Sequence, residues 1–271
     1  FLNLIDEVVF TQEEPFEGPS ILMQYSVMRA ARESGCKVML DGQGGDETLL
    51  GYEKYLVDVL TSYLHHGAIA RYLKLLVAAN TFRISKKRLA VASVANMLNS
   101  VKTRIRYWQG NRRIKDKSRR LDWHEALRKS GWRNIFDLQR NEIQTAQLPV
   151  LLRYEDKNSM RNSVETRLPF LDFRLVNFAC SVSSESKIRN GYLKYLLRVS
   201  MEKLLPESII WRRNKFGFEA PETTWFSAHR EEMMSTINAS VILNEFDSDY
   251  ESMSGRELWR FYSFAKWEEI F

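Results

Sequence analysis

The 271-residue sequence predicts an α/β fold, part of a doubly wound parallel sheet joined to a large, mainly helical remainder. Three observations predict it. An amphipathic pattern over residues 19–34 stops at Gly35, a short apolar run follows at 36–40, and a glycine-rich segment at 41–47 separates that run from the next helical pattern. Helix, glycine, short strand, glycine loop and helix is the order of a doubly wound unit, whose ligands sit beyond the carboxyl ends of the strands.

The elements follow in order. Pro19 and Ser20 suit a helix start. Ile21, Leu22, Tyr25 and Met28 recur at helical spacing, and Gly35 is placed to end the helix in a left-handed conformation. Residues 36–40, Cys-Lys-Val-Met-Leu, read as a buried parallel strand. After Tyr52 the pattern turns helical, with no convincing strand for most of the remaining chain. Helices are expected near 55–65, 68–80, 87–108, 122–129, 141–160, 174–181, 193–204, 227–239 and 255–269. Pro149, Pro169 and Pro206 punctuate segments. The chain carries no internal repeat and no low-complexity tract.

Composition narrows the class. With 44% hydrophobic and 27% charged residues the chain has the mix of a globular protein, so disorder is not the default. No stretch is apolar for long enough to span a bilayer. No basic-then-apolar leader is visible, and the opening at Phe1-Leu2-Asn3, without Met, reads as a piece of a longer protein. Two cysteines, Cys36 and Cys180, fall in apolar segments, which favours a reducing, cytoplasmic setting over a disulfide framework. Two Cys and four widely spread His do not make a zinc site. The net charge of +6 comes from 40 basic against 34 acidic residues, an excess too small to separate nucleic acid from ATP or another anion. Residues 112–120 hold six basic side chains in nine, and with no aromatic inside the run they read as a solvated loop or helix end.

The strongest local signal is DGQGGDETLLGY at 41–52. Gly42, Gly44 and Gly45 let the backbone turn sharply and approach a ligand, with Gln43 between them. Asp46 and Glu47 would place hard oxygen ligands beside the loop, as magnesium with phosphates requires. A helix starting near Asp46 would aim its first amides at the same space. Taken alone, the loop could equally be an ordinary strand-to-helix turn with acidic first-turn residues. It is neither a P-loop nor a GxGxxG fingerprint.

This loop is similar to the DGQGGDE-type motif of the asparagine synthase family. Three further segments agree in order: YEDKNSMRNSVETRLPFLD at 154–172, KIRNGYLKYLLR at 187–198 and LPESIIWRRNKFGF at 205–218. The resemblance covers roughly residues 19–226 and identifies the whole 271-residue chain as a partial synthetase domain of that family, with an adenine nucleotide alpha hydrolase-like sheet. It implies a carbon–nitrogen ligase that uses ATP and Mg2+. The enzyme adenylates a carboxylate, most simply that of L-aspartate, releases pyrophosphate, and lets ammonia displace AMP. The ammonia would come from glutamine through a glutaminase domain of the same full-length chain, and a homodimer fits the family. Asp46 matches the metal-binding aspartate, Lys215 the lysine that steadies the departing phosphates, and Lys157 a basic position on those phosphates. Fixed cations near a leaving pyrophosphate lower the barrier.

The remaining motif residues take structural readings. Glu165 and Arg167 would form a buried ion pair shaping the site, Lys194 and Arg198 a solvated helix stripe, and Asp172 a helix cap. Gln43 departs from the glutamate of many members, and a neutral amide there hydrogen-bonds but takes no proton. The family's SGGxDS pyrophosphate loop is nowhere in the sequence. The expectation is therefore that this polypeptide alone neither binds ATP well nor makes asparagine. Related ligases acting on sugar acids, β-lactam precursors or peptides stay open. So do a basic helical nucleic-acid-binding module and a non-catalytic scaffold.

Overall fold

The computed structural model describes residues 2–79, 84–97, 135–212, 220–246 and 249–271. Helices α1 (Leu2–Gln12) and α2 (Ser20–Glu33) precede strand β1 (Val38–Leu40). After the glycine loop come α3 (Gly45–Leu49), α4 (Lys54–His65), α5 (Ile69–Ala78), α6 (Lys86–Met97) and α7 (Ile135–Gln144). Helix α8 (Gln147–Arg161) leads into strand β2 (Glu165–Arg167), a 3-10 turn (Pro169–Leu171) and α9 (Phe173–Ser181). Short helices α10 (Ser184–Lys187), α11 (Tyr195–Ser200) and α12 (Glu207–Ile210) run on to α13 (Glu222–Ala228), α14 (Arg230–Ala239) and α15 (Gly255–Ile270).

The opening unit follows its sequence. Helix α2 buries Ile21, Leu22, Tyr25 and Met28, and the chain takes a φ of +81° at Gly35 before entering β1. The amide of Cys36 reaches back to the carbonyl of Ala31 at 2.9 Å, closing the helix end.

Elsewhere the structure differs from expectation. Strand β2 is the clearest case, because no strand was expected there. It pairs with β1 in parallel, Val38 opposite Glu165 and Leu40 opposite Arg167. Glu-Thr-Arg carries no apolar run, so its strand character comes from the partner and not from its own composition. Strand β1 is not buried either: Val38 is 41% and Leu40 73% exposed, since the sheet has two strands among the described residues. The single helix expected at 141–160 is two, α7 and α8, broken where the amides of Thr145 and Ala146 both return to the carbonyl of Asn141. Pro149 falls in the first turn of α8, where a missing N–H costs nothing. Helix α1 was not expected. The regions 98–108, 112–120 and 122–129 lie outside the described residues.

Two apolar clusters organise the molecule. The first joins α1 (Ile5, Val8, Val9), α2 and the C-terminal helices through Trp259, Tyr262 and Met233. Its polar edges are satisfied: the Trp259 indole donates to the Phe16 carbonyl at 3.0 Å, and the Phe16 amide donates to Ser263 at 2.9 Å. Ser254 and Glu257 form a capping box that starts α15. The second cluster joins α4 to α7 through Leu56, Leu60, Tyr72, Leu89 and Leu138. Burying each such large side chain is worth about 1.5–3 kcal/mol. Leu50, just past α3, belongs to the second cluster and Tyr154 of α8 to the first, so the glycine loop lies beside elements tied to both. Among the described residues no helix is long and apolar enough to cross a membrane.

Candidate functional site

The glycine loop leaves the carboxyl end of β1, where the Asp41 amide still bonds the Arg167 carbonyl of β2 at 3.0 Å. Gly44 sits at φ +82°, and a Cβ there would come within 2.1 Å of the Leu171 side chain. Both facts require glycine. Gly45 faces Phe170, so the Pro-Phe-Leu turn after β2 is the floor on which the loop rests. The amides of Gly45 and Thr48 bond the carbonyls of Gly42 and Gly44. These two amides are thus used within the loop and the first turn of the five-residue α3.

The two acidic residues of the loop part company. Glu47 is 1% exposed, and its carboxylate accepts a hydrogen bond from the Tyr52 hydroxyl at 2.8 Å. Burial pushes its pKa up, and the Tyr52 hydrogen bond only partly offsets this. It braces α3 and does not face outward. Asp46 pairs with the Lys194 ammonium at 2.9 Å, and both side chains are about a quarter exposed, 22% and 28%. A Cβ at Gly51 would lie 2.0 Å from the Asp46 Oδ1, so only glycine leaves this carboxylate its place.

Lys194 and Arg198 are therefore not a solvated stripe. Arg198 donates to the Leu193 carbonyl at 2.8 Å and to that of Ile210, tying α11 to α12, and it lies over the Tyr192 ring. At the head of the same segment Lys187 is fully buried and donates to the Gln139 side chain at 2.7 Å. Burial pushes its pKa down to about 8. The Gln139 amide in turn donates to the Glu47 and Thr48 carbonyls, so Lys187 supports α3 from below.

The sequence reading missed Glu155. It lies on α8 and is 1% exposed. Asp41, Gln43 and Thr166 face it, but none is aligned for a full hydrogen bond to either carboxylate oxygen. Burial, and after it the Asp41 carboxylate, push its pKa from 4.5 up to about 7. A signal was present: Leu148, Glu155, Asn158 and Ser159 are buried together on α8, and an acidic residue among them calls for a chemical reason.

Lys157, two residues on, points elsewhere. Its ammonium donates to the Gln12 carbonyl at 2.8 Å and pairs with Glu13 at 2.5 Å, at the end of α1. The structure does not bring it to the glycine loop. Asn158 of the same motif is structural, accepting from Gln12 at 2.7 Å and donating to the Ile21 carbonyl of α2. Glu165 and Arg167 do pair, at 2.8 Å, but their side chains are 58% and 62% exposed, so the expected buried ion pair is a surface one. Asp172 caps α9 as expected, accepting from the Arg174 amide at 2.9 Å. Lys215 lies outside the described residues.

Among the described residues no group of three or more His, Cys, Asp or Glu could hold a metal ion. Asp46 is a single carboxylate already paired with Lys194. One carboxylate can serve magnesium when phosphate oxygens and water complete the shell of the ion.

The family model for asparagine synthase matches residues 1–267. Asparagine synthetase [glutamine-hydrolyzing] 1 of Bacillus subtilis (strain 168) is 26% identical over 88% of this chain and 39% of its own length. Mycobacterial relatives align across the whole chain, at 26% identity and over 45% of their length. The asparagine synthetase [glutamine-hydrolyzing] of Gallus gallus is 38% identical over a shorter stretch, 27% of this chain and 14% of that protein. The chain thus spans less than half the length of the relatives it matches most completely.

Proposed function

The chain belongs to the asparagine synthase family, and from that premise we propose that it is the synthetase portion, spanning 1–271, of an ATP-dependent ligase that turns a carboxylate into an amide. L-aspartate is the leading substrate and ammonia drawn from glutamine by a separate domain is the nucleophile. The carboxylate oxygen attacks the α-phosphorus of ATP and pyrophosphate leaves. The amine nitrogen then attacks the acyl carbon, AMP leaves, and the nitrogen gives up a proton. Beta strands 1 and 2 would be two strands of a larger nucleotide-binding sheet.

The observation that carries this reading is a glycine loop at the carboxyl end of a parallel strand, with Asp46 at its far end and the buried Glu155 beside Asp41 and Gln43 at its start. Asp46 would hold a magnesium ion that arrives with ATP, and such an ion neutralises charge on the departing pyrophosphate. Lys215 supports the same charge by its match to the family motif. Glu155, half ionised near neutral pH, would take the proton the amine loses. Gln43 beside it is neutral and takes no proton of its own. The present polypeptide contains no SGGxDS segment, so the activity belongs to the whole protein.

Pyrophosphate release by the whole protein with ATP, magnesium, ammonia and L-aspartate tests the reading, beside an Asp46→Ala variant. Aspartate-dependent release that falls by about a hundredfold or more in the variant is expected, the scale of losing one well-placed electrostatic group. Release with other carboxylates and none with aspartate would move the substrate to a sugar acid, a β-lactam precursor or a peptide, which Gln43 leaves room for.

A further inference from the structure

Three independent features converge on one ion pair. The Lys194 ammonium lies 2.9 Å from the Asp46 carboxylate. Lys194 holds a left-handed backbone, φ +52°, which a lysine adopts only where its surroundings impose it. Gly51 closes against both partners at once: a Cβ there would lie 2.0 Å from Asp46 Oδ1 and 2.2 Å from Lys194 Cε. The turn that brings Gly51 in is itself fixed, with Leu50 at φ +54° and the Gly51 amide bonded to the Asp46 carbonyl at 2.8 Å.

We propose that Lys194 is a resident counter-ion of Asp46, which a divalent cation must displace before Asp46 becomes a metal ligand. This rests on the reading of Asp46 as the metal-binding residue. A carboxylate already neutralised by an ammonium binds a second cation only by giving up the first. The architecture allows the exchange. The base of the lever is anchored, because Arg198 ties α11 to the carbonyls of Leu193 and Ile210. The moving part is a flexible four-carbon stem, 28% exposed, which can swing its charge off Asp46 without moving the backbone. Glu47 does not offer a substitute anion on the loop surface, since its carboxylate is turned inward to Tyr52. The pair thus keeps Asp46 oriented and its charge covered until the metal arrives. Lys194 is accordingly a positioning residue.

Manganese binding to the whole protein, followed by electron paramagnetic resonance, reads this without turnover. Lys194→Met is expected to bind Mn2+ about fivefold tighter than the wild type, the factor set by losing a partly exposed pair. Asp46→Asn is expected to lose the binding. Equal or weaker binding in Lys194→Met, or no binding in either protein, would overturn the proposal. If Asp46→Asn alone abolishes binding, the role of Asp46 stands and only the counter-ion idea falls. Binding that survives Asp46→Asn would overturn both. Should Lys194→Met fail to fold, the wild type decides: saturating Mg2+ is expected to raise the rate of Lys194 acetylation severalfold, and an unchanged rate would overturn the proposal.

Discussion

At the scale of single residues, burial decides what a carboxylate can do. Glu155 has the same side chain as Glu165 but the opposite setting: 1% exposed on α8 against an exposed strand position paired to Arg167. Its pKa rises from 4.5 to about 7, so the folded state holds a proton that the unfolded chain releases. The stabilising contribution is full below about pH 4.5 and is lost as pH rises through 7. Glu155→Gln keeps the shape and removes the titration. The variant is expected to be more stable than the wild type at pH 8, with the gap closing toward pH 5. Thermal melts across that range check it, and parallel melting curves would refute the buried titration. Activity is expected to fall in the same variant, since an amide cannot accept a proton.

At the scale of elements, α3 shows how little a short helix owes to itself. Five residues cannot pay the nucleation cost of an isolated helix. The turn Pro169–Leu171 supports it from one side and Gln139 of α7 from the other, while Lys187 holds Gln139 in place. Gln139→Ala would leave the buried Lys187 ammonium and two α3 carbonyls without this partner. A loss of about 1–3 kcal/mol in unfolding free energy is expected for each buried group left unsatisfied, read by urea denaturation. A change below about 0.5 kcal/mol would mean that water replaces the side chain. Because α3 carries Asp46, metal binding should weaken together with stability.

At the scale of the whole molecule, two apolar clusters hold the helices among the described residues, while the two-stranded sheet found there stays open. Leu40 at 73% and Phe173 at 73% exposed are unusual for a parallel strand and the helix that follows such a strand, which are ordinarily covered on both faces. The chain covers 39% to 45% of the length of its most completely matched relatives. The polypeptide on its own is therefore expected to bind an apolar dye such as ANS at this sheet, and to release no pyrophosphate from ATP with aspartate and ammonia, while the whole protein does. Turnover by the polypeptide alone would show that an SGGxDS segment is dispensable.

The sequence by itself determined the α2–β1–loop–α3 unit and the family, because each is written in local spacing: helical periodicity, glycines where the backbone must turn, and an ordered set of motifs. Tertiary structure alone decided the rest. Strand β2 exists because β1 lies beside it, Glu155 titrates near 7 because Asp41 and the protein interior surround it, and Lys194 leaves solvent because Gly51 lets it meet Asp46. Lys157, read from its motif as a phosphate contact, reaches Glu13 because α8 packs on α1. Pairing, burial and ion-pair partners join residues more than 100 positions apart, and no local pattern encodes which distant residue will arrive.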